Sequence, residues 1–188
     1  MDVKEAIEKR RAYRSLETVE IAKELVKDLA HHAGLSPSCF NKQPWRLVFV
    51  HEKKMLERII PALSNGNEWA SNASMIVAVY SSRDYDCVIH DREYYLFDTG
   101  MATAFLILRA TELGLVAPPI AGFSPRKVKE LLRIPDDKML ITLVIIGKHS
   151  GELSPLLSEK QKKDEVKRPE RKNFEEIASI NFYGENEK

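Results

Sequence analysis

Ten residues, Ser36-Pro37-Ser38-Cys39-Phe40-Asn41-Lys42-Gln43-Pro44-Trp45, gather hydroxyls, two side-chain amides and two prolines into one loop. Amide groups such as Asn41 and Gln43 donate and accept at the edge of a heterocycle. The stretch lies between a helical pattern ending at Gly34 and the β-branched, aromatic run Arg46-Leu47-Val48-Phe49-Val50, which reads as a strand. Loops in that position commonly carry ligand contacts. The plainer alternative is a rigid connection in which Pro37 and Pro44 order the chain and the amides face water. A second group is Arg10, Arg11 and Arg14, at the end of the first helical pattern. Gathered guanidiniums repel one another unless an anion or carboxylates sit among them, and their fork suits phosphate oxygens. Arg10 and Arg14 share a face if the helix continues; the alternative is a solvated basic face or ion pairs to glutamates. A third group is Leu115 to Phe123, where Pro118 and Pro119 leave Ile120, Ala121 and Gly122 as the next free backbone N–H groups. Gly122 allows a flat molecule to approach the main chain.

Other reactive residue types point to no chemistry. Cys39 and Cys87 have neither metal-ligand spacing nor a disulfide framework, so no metal is expected. Cys87 has no basic neighbour in sequence to activate it, and Cys39 stands among small loop residues as packing. His31 and His32 fall in the last turn of a helix, where the dipole favours cations, and read as structural.

The elements that must position these groups follow from periodicity. A helix runs from Val3 to about Arg10, and Thr18 looks like the N-cap of a second, whose stripe is Ile21, Leu25, Val26 and Leu29. Strands are predicted from Trp45 to Val50, Met75 to Tyr80 and Leu140 to Gly147, with a charged helix through Met55 and Ile59 after the first. Ser81 to His90 reads as irregular. Asp91 opens the longest helical pattern, reaching Leu113, whose middle is apolar nearly all round and therefore buried, centrally or against another subunit. Ser124-Pro125 is an N-cap with proline at the first helical position. Beyond Ser150 the chain is charged, then regains apolar residues at Ile177, Ile180, Phe182 and Tyr183, a pattern that argues for wrapping over another surface.

At 188 residues one domain, 1–188, is expected. Basic and acidic residues number 29 and 28, so no global field argues for nucleic acid or membrane. No apolar run is long enough to span a bilayer, the start carries no signal-peptide pattern, and a cytoplasmic protein is expected.

Four stretches together resemble the FMN-dependent nitroreductase family across roughly residues 3 to 183: Arg10 to Arg14, Ser36 to Trp45, the helix around Asp98 ending Glu112-Leu113-Gly114-Leu115, and Pro119 to Phe123. The resemblance implies an α+β, three-layer α/β/α fold with a mostly antiparallel central sheet. It implies a homodimer with two FMN sites at the subunit interface, and a C-terminal extension from about 150 to 188 exchanged across it. It implies that Arg10 and Arg11 hold the FMN phosphate, with Arg171, accompanied by Arg168 or Lys172, completing the clamp. Arg14 would lie near the pyrimidine edge, where positive charge favours an anionic reduced ring. Pro37, Ser38, Asn41 and Gln43 would line the flavin. Pro119 and Ile120 lead to the Ala121 and Gly122 amides, which would face N5 and O4. The implied activity is two-electron, ping-pong reduction of nitroaromatic or quinone-like acceptors by NADH or NADPH, with no side chain as obligatory acid or base. Alternatives are related flavin chemistry (reductive dehalogenation or flavin breakdown) and a non-catalytic flavin-binding dimer. Ala12 stands where the family often has serine, and Ala121 where many members are acidic.

Overall fold

The computed structural model describes residues 1–184, so residues 185–188 of the expected extension lie outside it. In chain order the elements are α1 (Val3–Lys9), β1 (Leu16–Glu17), α2 (Lys23–Gly34), β2 (Arg46–Val50), α3 (Lys53–Ile59), β3 (Met75–Ser81), β4 (Val88–Ile89), β5 (Arg92–Glu93), α4 (Tyr94–Glu112), β6 (Pro119–Ile120), α5 (Pro125–Leu132), β7 (Met139–Ile146), β8 (Lys148–His149), α6 (Glu159–Val166) and α7 (Phe174–Ile177).

The central sheet has the order β2-β3-β7-β6, and every pairing is antiparallel. Its middle strands are apolar because both faces are covered. On one face Met75, Val77, Val79, Val144 and Ile146 pack against Leu29 and Ala33 of α2 and Leu106 and Ala110 of α4. On the other, Ile76, Ala78, Leu143 and Ile145 meet Trp69, Ile59 of α3 and Val128 of α5. Strand alternation sends consecutive residues to opposite layers, so the sheet is sandwiched between helices as the α+β expectation required. Each fully buried aliphatic side chain of this kind contributes about 1.5–3 kcal/mol.

Local chemistry sets several helix ends. The Asp2 side chain accepts from the Glu5 N–H at 2.8 Å and Glu5 returns the bond, a capping box that starts α1. Ser124 caps α5 with Pro125 behind it. Gly114, at φ +77°, ends the long helix.

Three expectations need correction. First, α1 ends at Lys9, and Arg10 has an extended ψ of 120°, so Arg10 and Arg14 do not share a helical face. Distant partners take over there: the Glu165 carboxylate accepts from the Arg14 N–H (2.5 Å) and the Ser15 N–H (3.3 Å). Second, Thr18 caps nothing. The chain there is held out of a helix by the β1–β8 pairing and by the Val19 N–H donating to Ser74 Oγ, and α2 begins only after Ala22. Third, α4 begins at Tyr94, because Val88–Glu93 closes as a β4–β5 hairpin.

The chain after Ser150 divides. Up to Arg168 it packs on its own protomer: Leu157 enters the core, the Ser154 N–H donates to Ser15 Oγ at 3.1 Å, and Glu165 is buried. From Pro169 to Gly184 nearly every residue is exposed. Among the described residues no helix is long and apolar enough to cross a membrane.

Candidate functional site

The arginine segment and the C-terminal tail meet. Arg168 donates to the carbonyls of Glu8 and Arg10, which brings its guanidinium to the end of α1. Arg10 is half-buried, and its pKa is pushed down from its ordinary value by that burial, then by Arg168 and Arg171. Among the described residues, none of these three cations makes an ion pair with a carboxylate. Arg168 and Arg171 thus lie close enough to repel the partly desolvated Arg10 charge, a repulsion that an anion would relieve.

Arg11 is differently engaged. Its guanidinium donates to the carbonyls of Asp164 (2.5 Å) and Glu165 (3.0 Å) and lies 4.6 Å over the Tyr13 ring, which in turn stacks on His149 at 3.7 Å. It ties the tail to the arginine segment. The Arg14 backbone serves the same joint through Glu165, and the structure gives its guanidinium no ion pair among the described residues. Lys172 is exposed.

The Ser36–Trp45 loop is folded against backbone preference. Phe40, Asn41 and Gln43 all have positive φ, at 47°, 55° and 51°. Each such residue costs of order 1 kcal/mol and persists only where its surroundings over-determine it. Here they do. Ser38 Oγ accepts from the Gln43 N–H at 2.9 Å, Gln43 Nε2 donates to the Asn41 carbonyl, and buried Asp98 on α4 accepts from the Cys39 N–H at 2.7 Å. The result presents Pro37, Phe40, Asn41 and Gln43 outward, with Phe40 83% exposed. Sequence reasoning had marked the loop by its polar content; the strain and the Asp98 anchor were not legible in it.

Pro119 and Ile120 form the edge strand β6, and Ala121 and Gly122 follow it. Among the described residues the Ala121 and Gly122 N–H groups have no hydrogen-bond acceptor, so both are available to a ligand. At Gly122 the chain itself also approaches closely. A Cβ there would lie 2.6 Å from Asn67 Nδ2 and 3.3 Å from Ser64 Cβ, and the Gly122 carbonyl accepts from both residues. The close approach is made by the protein's own loop.

Register fixes how these groups lie relative to one another. Arg46 pairs with Tyr80, which pairs with Leu140, while Ile120 pairs with Leu143. The Ser36–Trp45 loop and the Ala121–Gly122 amides therefore emerge at the same end of the sheet but from its opposite edges. Strands β3 and β7 lie between, a separation of roughly 14 Å. Among the described residues one face of α4 has no partner: Leu96, Phe97 and Phe105 are exposed, with Gly100 and Ala104 between them, and a groove of about 310 Å³ opens beside Phe105 against Val3 and Leu35.

A third cluster was not anticipated. Cys39, Cys87 and Asp86 place their Sγ and carboxylate oxygen atoms within 4.8 Å of one another. Hydrogen bonding to Cys39 and partial burial push the Cys87 thiol up to about 11.

Comparison with known proteins agrees with this architecture. The sequence profile described as the nitroreductase family matches residues 7–85 and 65–148. A protein of Stenotrophomonas maltophilia, named as a candidate NADH dehydrogenase/NAD(P)H nitroreductase, is 30% identical over 128 residues. That match covers 56% of this chain and 64% of the relative, so the chain spans under two thirds of that protein's length. A crystal structure described as an oxidoreductase containing FMN is 26% identical, with a TM-score of 0.82 over 95% of this chain and 91% of the other. A nitroreductase family protein from Clostridium novyi NT is 28% identical, with a TM-score of 0.75 over 80% and 87%.

Proposed function

From the chain's membership of the nitroreductase family, we propose that it is an FMN-dependent oxidoreductase taking electrons from NADH or NADPH and passing them to nitroaromatic or quinone-like acceptors. The observation that carries this reading is the grouping of Arg10, Arg168 and Arg171, three guanidiniums that form no ion pair among the described residues. A phosphate monoester bearing two negative charges offsets that repulsion, which a neutral ligand cannot do. The solved oxidoreductase containing FMN, similar over 95% of this chain, supports flavin as the group attached to the phosphate.

Bound flavin supplies the two-electron chemistry. The chain's own residues bind and orient. Arg10, Arg168 and Arg171 hold the phosphate, and Arg11 fixes the tail so that Arg168 and Arg171 converge on it. The free N–H groups of Ala121 and Gly122 suit the polar edge of a planar heterocycle, with Pro119 and Ile120 holding them at the sheet edge. Arg14 supplies positive charge toward the pyrimidine edge. Pro37, Ser38, Asn41 and Gln43 form the other wall. The two walls stand on opposite edges of one sheet, and this geometry favours a site completed by a second subunit. The exposed stripe of α4 and the uncovered chain after Pro169 are the apolar surfaces such a homodimer would bury. No side chain is assigned as acid or base.

The test is flavin binding by fluorescence quenching, followed by anaerobic addition of NADH or NADPH. Native protein is expected to take up one FMN per chain and to bleach on addition of the nicotinamide. Arg10→Ala should weaken FMN at least tenfold, about 1.4 kcal/mol, while riboflavin, which lacks the phosphate, should be unaffected. Equal FMN affinity in the two proteins would remove the phosphate assignment.

A further inference from the structure

We propose that Cys39, Cys87 and Asp86 form a binding site for a single zinc ion. Their three ligand atoms already lie within 4.8 Å of one another. Tetrahedral zinc with two thiolates and one carboxylate requires ligand separations of about 3.4–3.8 Å, so side-chain rotation suffices to close on the ion. The donor set selects the metal class. Two sulfurs reject magnesium and calcium, and a sulfur-rich tetrahedral set with one oxygen suits zinc.

Two further observations point to a cation. The Asp86 Oδ2 atom is buried and has no hydrogen-bond partner among the described residues, while its Oδ1 accepts from the Cys87 N–H at 2.7 Å. The carboxylate is thus oriented by its own backbone, with one oxygen left free beside the thiols. Moreover, Asp98, itself buried, lies close enough for its charge to act on Asp86. Two carboxylates and two thiols thus meet, and among the described residues no lysine or arginine forms an ion pair with either acid. Lys42 is the cation nearby and makes no such pair. A divalent ion supplies the missing charge.

The surrounding bonds resemble the outer support of a metal site. Asp98 accepts from the Cys39 N–H and fixes the loop that carries this thiol, a role that supporting carboxylates commonly fill. Both thiols are only half-buried, so the fourth coordination position is open to solvent. Bound there, zinc would join three segments distant in sequence: the Ser36–Trp45 loop, the loop before β4, and α4 through Asp98. Sequence spacing predicted no metal because the two cysteines are far apart along the chain; the fold brings them together.

The test uses full-length protein under reductant, with Zn²⁺ in competition against a chromophoric chelator and Co²⁺ as the spectroscopic probe. Native protein should bind one Zn²⁺ per chain. Co²⁺ should give the intense d–d absorption of a tetrahedral thiolate site, to the red of oxidised flavin. Cys87→Ser and Asp86→Asn should each weaken Zn²⁺ at least tenfold, in flavin-loaded and flavin-free protein alike, so the result is independent of the flavin reading. Zn²⁺ held no more tightly by native protein than by the Cys39→Ser/Cys87→Ser variant would overturn the proposal. So would a Cys39–Cys87 disulfide that forms in air despite saturating Zn²⁺.

Discussion

At the scale of single residues, the strongest functional marking is conformational. Phe40 holds a left-handed backbone at φ 47° with its ring 83% exposed, so no burial in its own chain compensates the strain. Phe40→Gly should therefore stabilise the isolated chain. Relief of the left-handed penalty, about 1–2 kcal/mol, exceeds the entropic cost of glycine, about 0.5–1 kcal/mol. A rise in Tm of about 2 °C is expected. A fall in Tm would mean that the ring itself contributes to stability. Arg11 shows the opposite pattern. The sequence groups it with Arg10, but its Nη2 donates to two tail carbonyls, and nothing within the Arg10–Arg14 segment distinguishes the two guanidiniums.

At the scale of elements, Arg109 on α4 makes a two-pronged bond to Asp28 on α2, at 2.6 and 2.9 Å, and locks the helix layer of one face. This hydrogen bond holds the Asp28 carboxyl below its usual range. A depressed carboxylate stabilises the fold above the unfolded value near 4, and that contribution is lost as pH falls through the lower folded value. Asp28→Asn should cost about 1 kcal/mol, or about 2–4 °C in Tm, at pH 7. Thermal melts of native and variant protein should converge as pH falls through the lowered Asp28 value; a gap of constant size would show that the charge is not the cause. Elements were also where the sequence was most and least readable. The strands of Met75–Ser81 and Met139–Ile146 stand out because burial on both faces leaves unbroken apolar runs. The Ser124-Pro125 start was equally clear, since capping is local chemistry. The end of α1, the stretch around Thr18 and the pairing of Cys39 with Cys87 were not legible. Each is decided by partners far away in sequence: Glu165, Ser74 and the neighbouring loop.

At the scale of the whole molecule, one chain leaves work unfinished. Its predicted flavin walls face from opposite sheet edges, and Phe97 on α4 is 62% exposed. Phe97→Glu should shift the mass measured by light scattering from two chains to one and abolish FMN binding in the same concentration range. A single-chain species that still binds FMN fully would show each site to be complete within one subunit. The Leu16–His149 pairing and the Glu165 anchor at Ser15 also have a bearing on biosynthesis. A ribosome delivers Arg10 well before Arg168 and Arg171, which follow it by more than 150 residues. The early segment therefore emerges without these partners and waits for them. Strands β2 and β3 can pair long before the anion cluster exists. On the proposed phosphate assignment, cofactor uptake follows synthesis of Arg168 and Arg171, and a product terminated before them sequesters none.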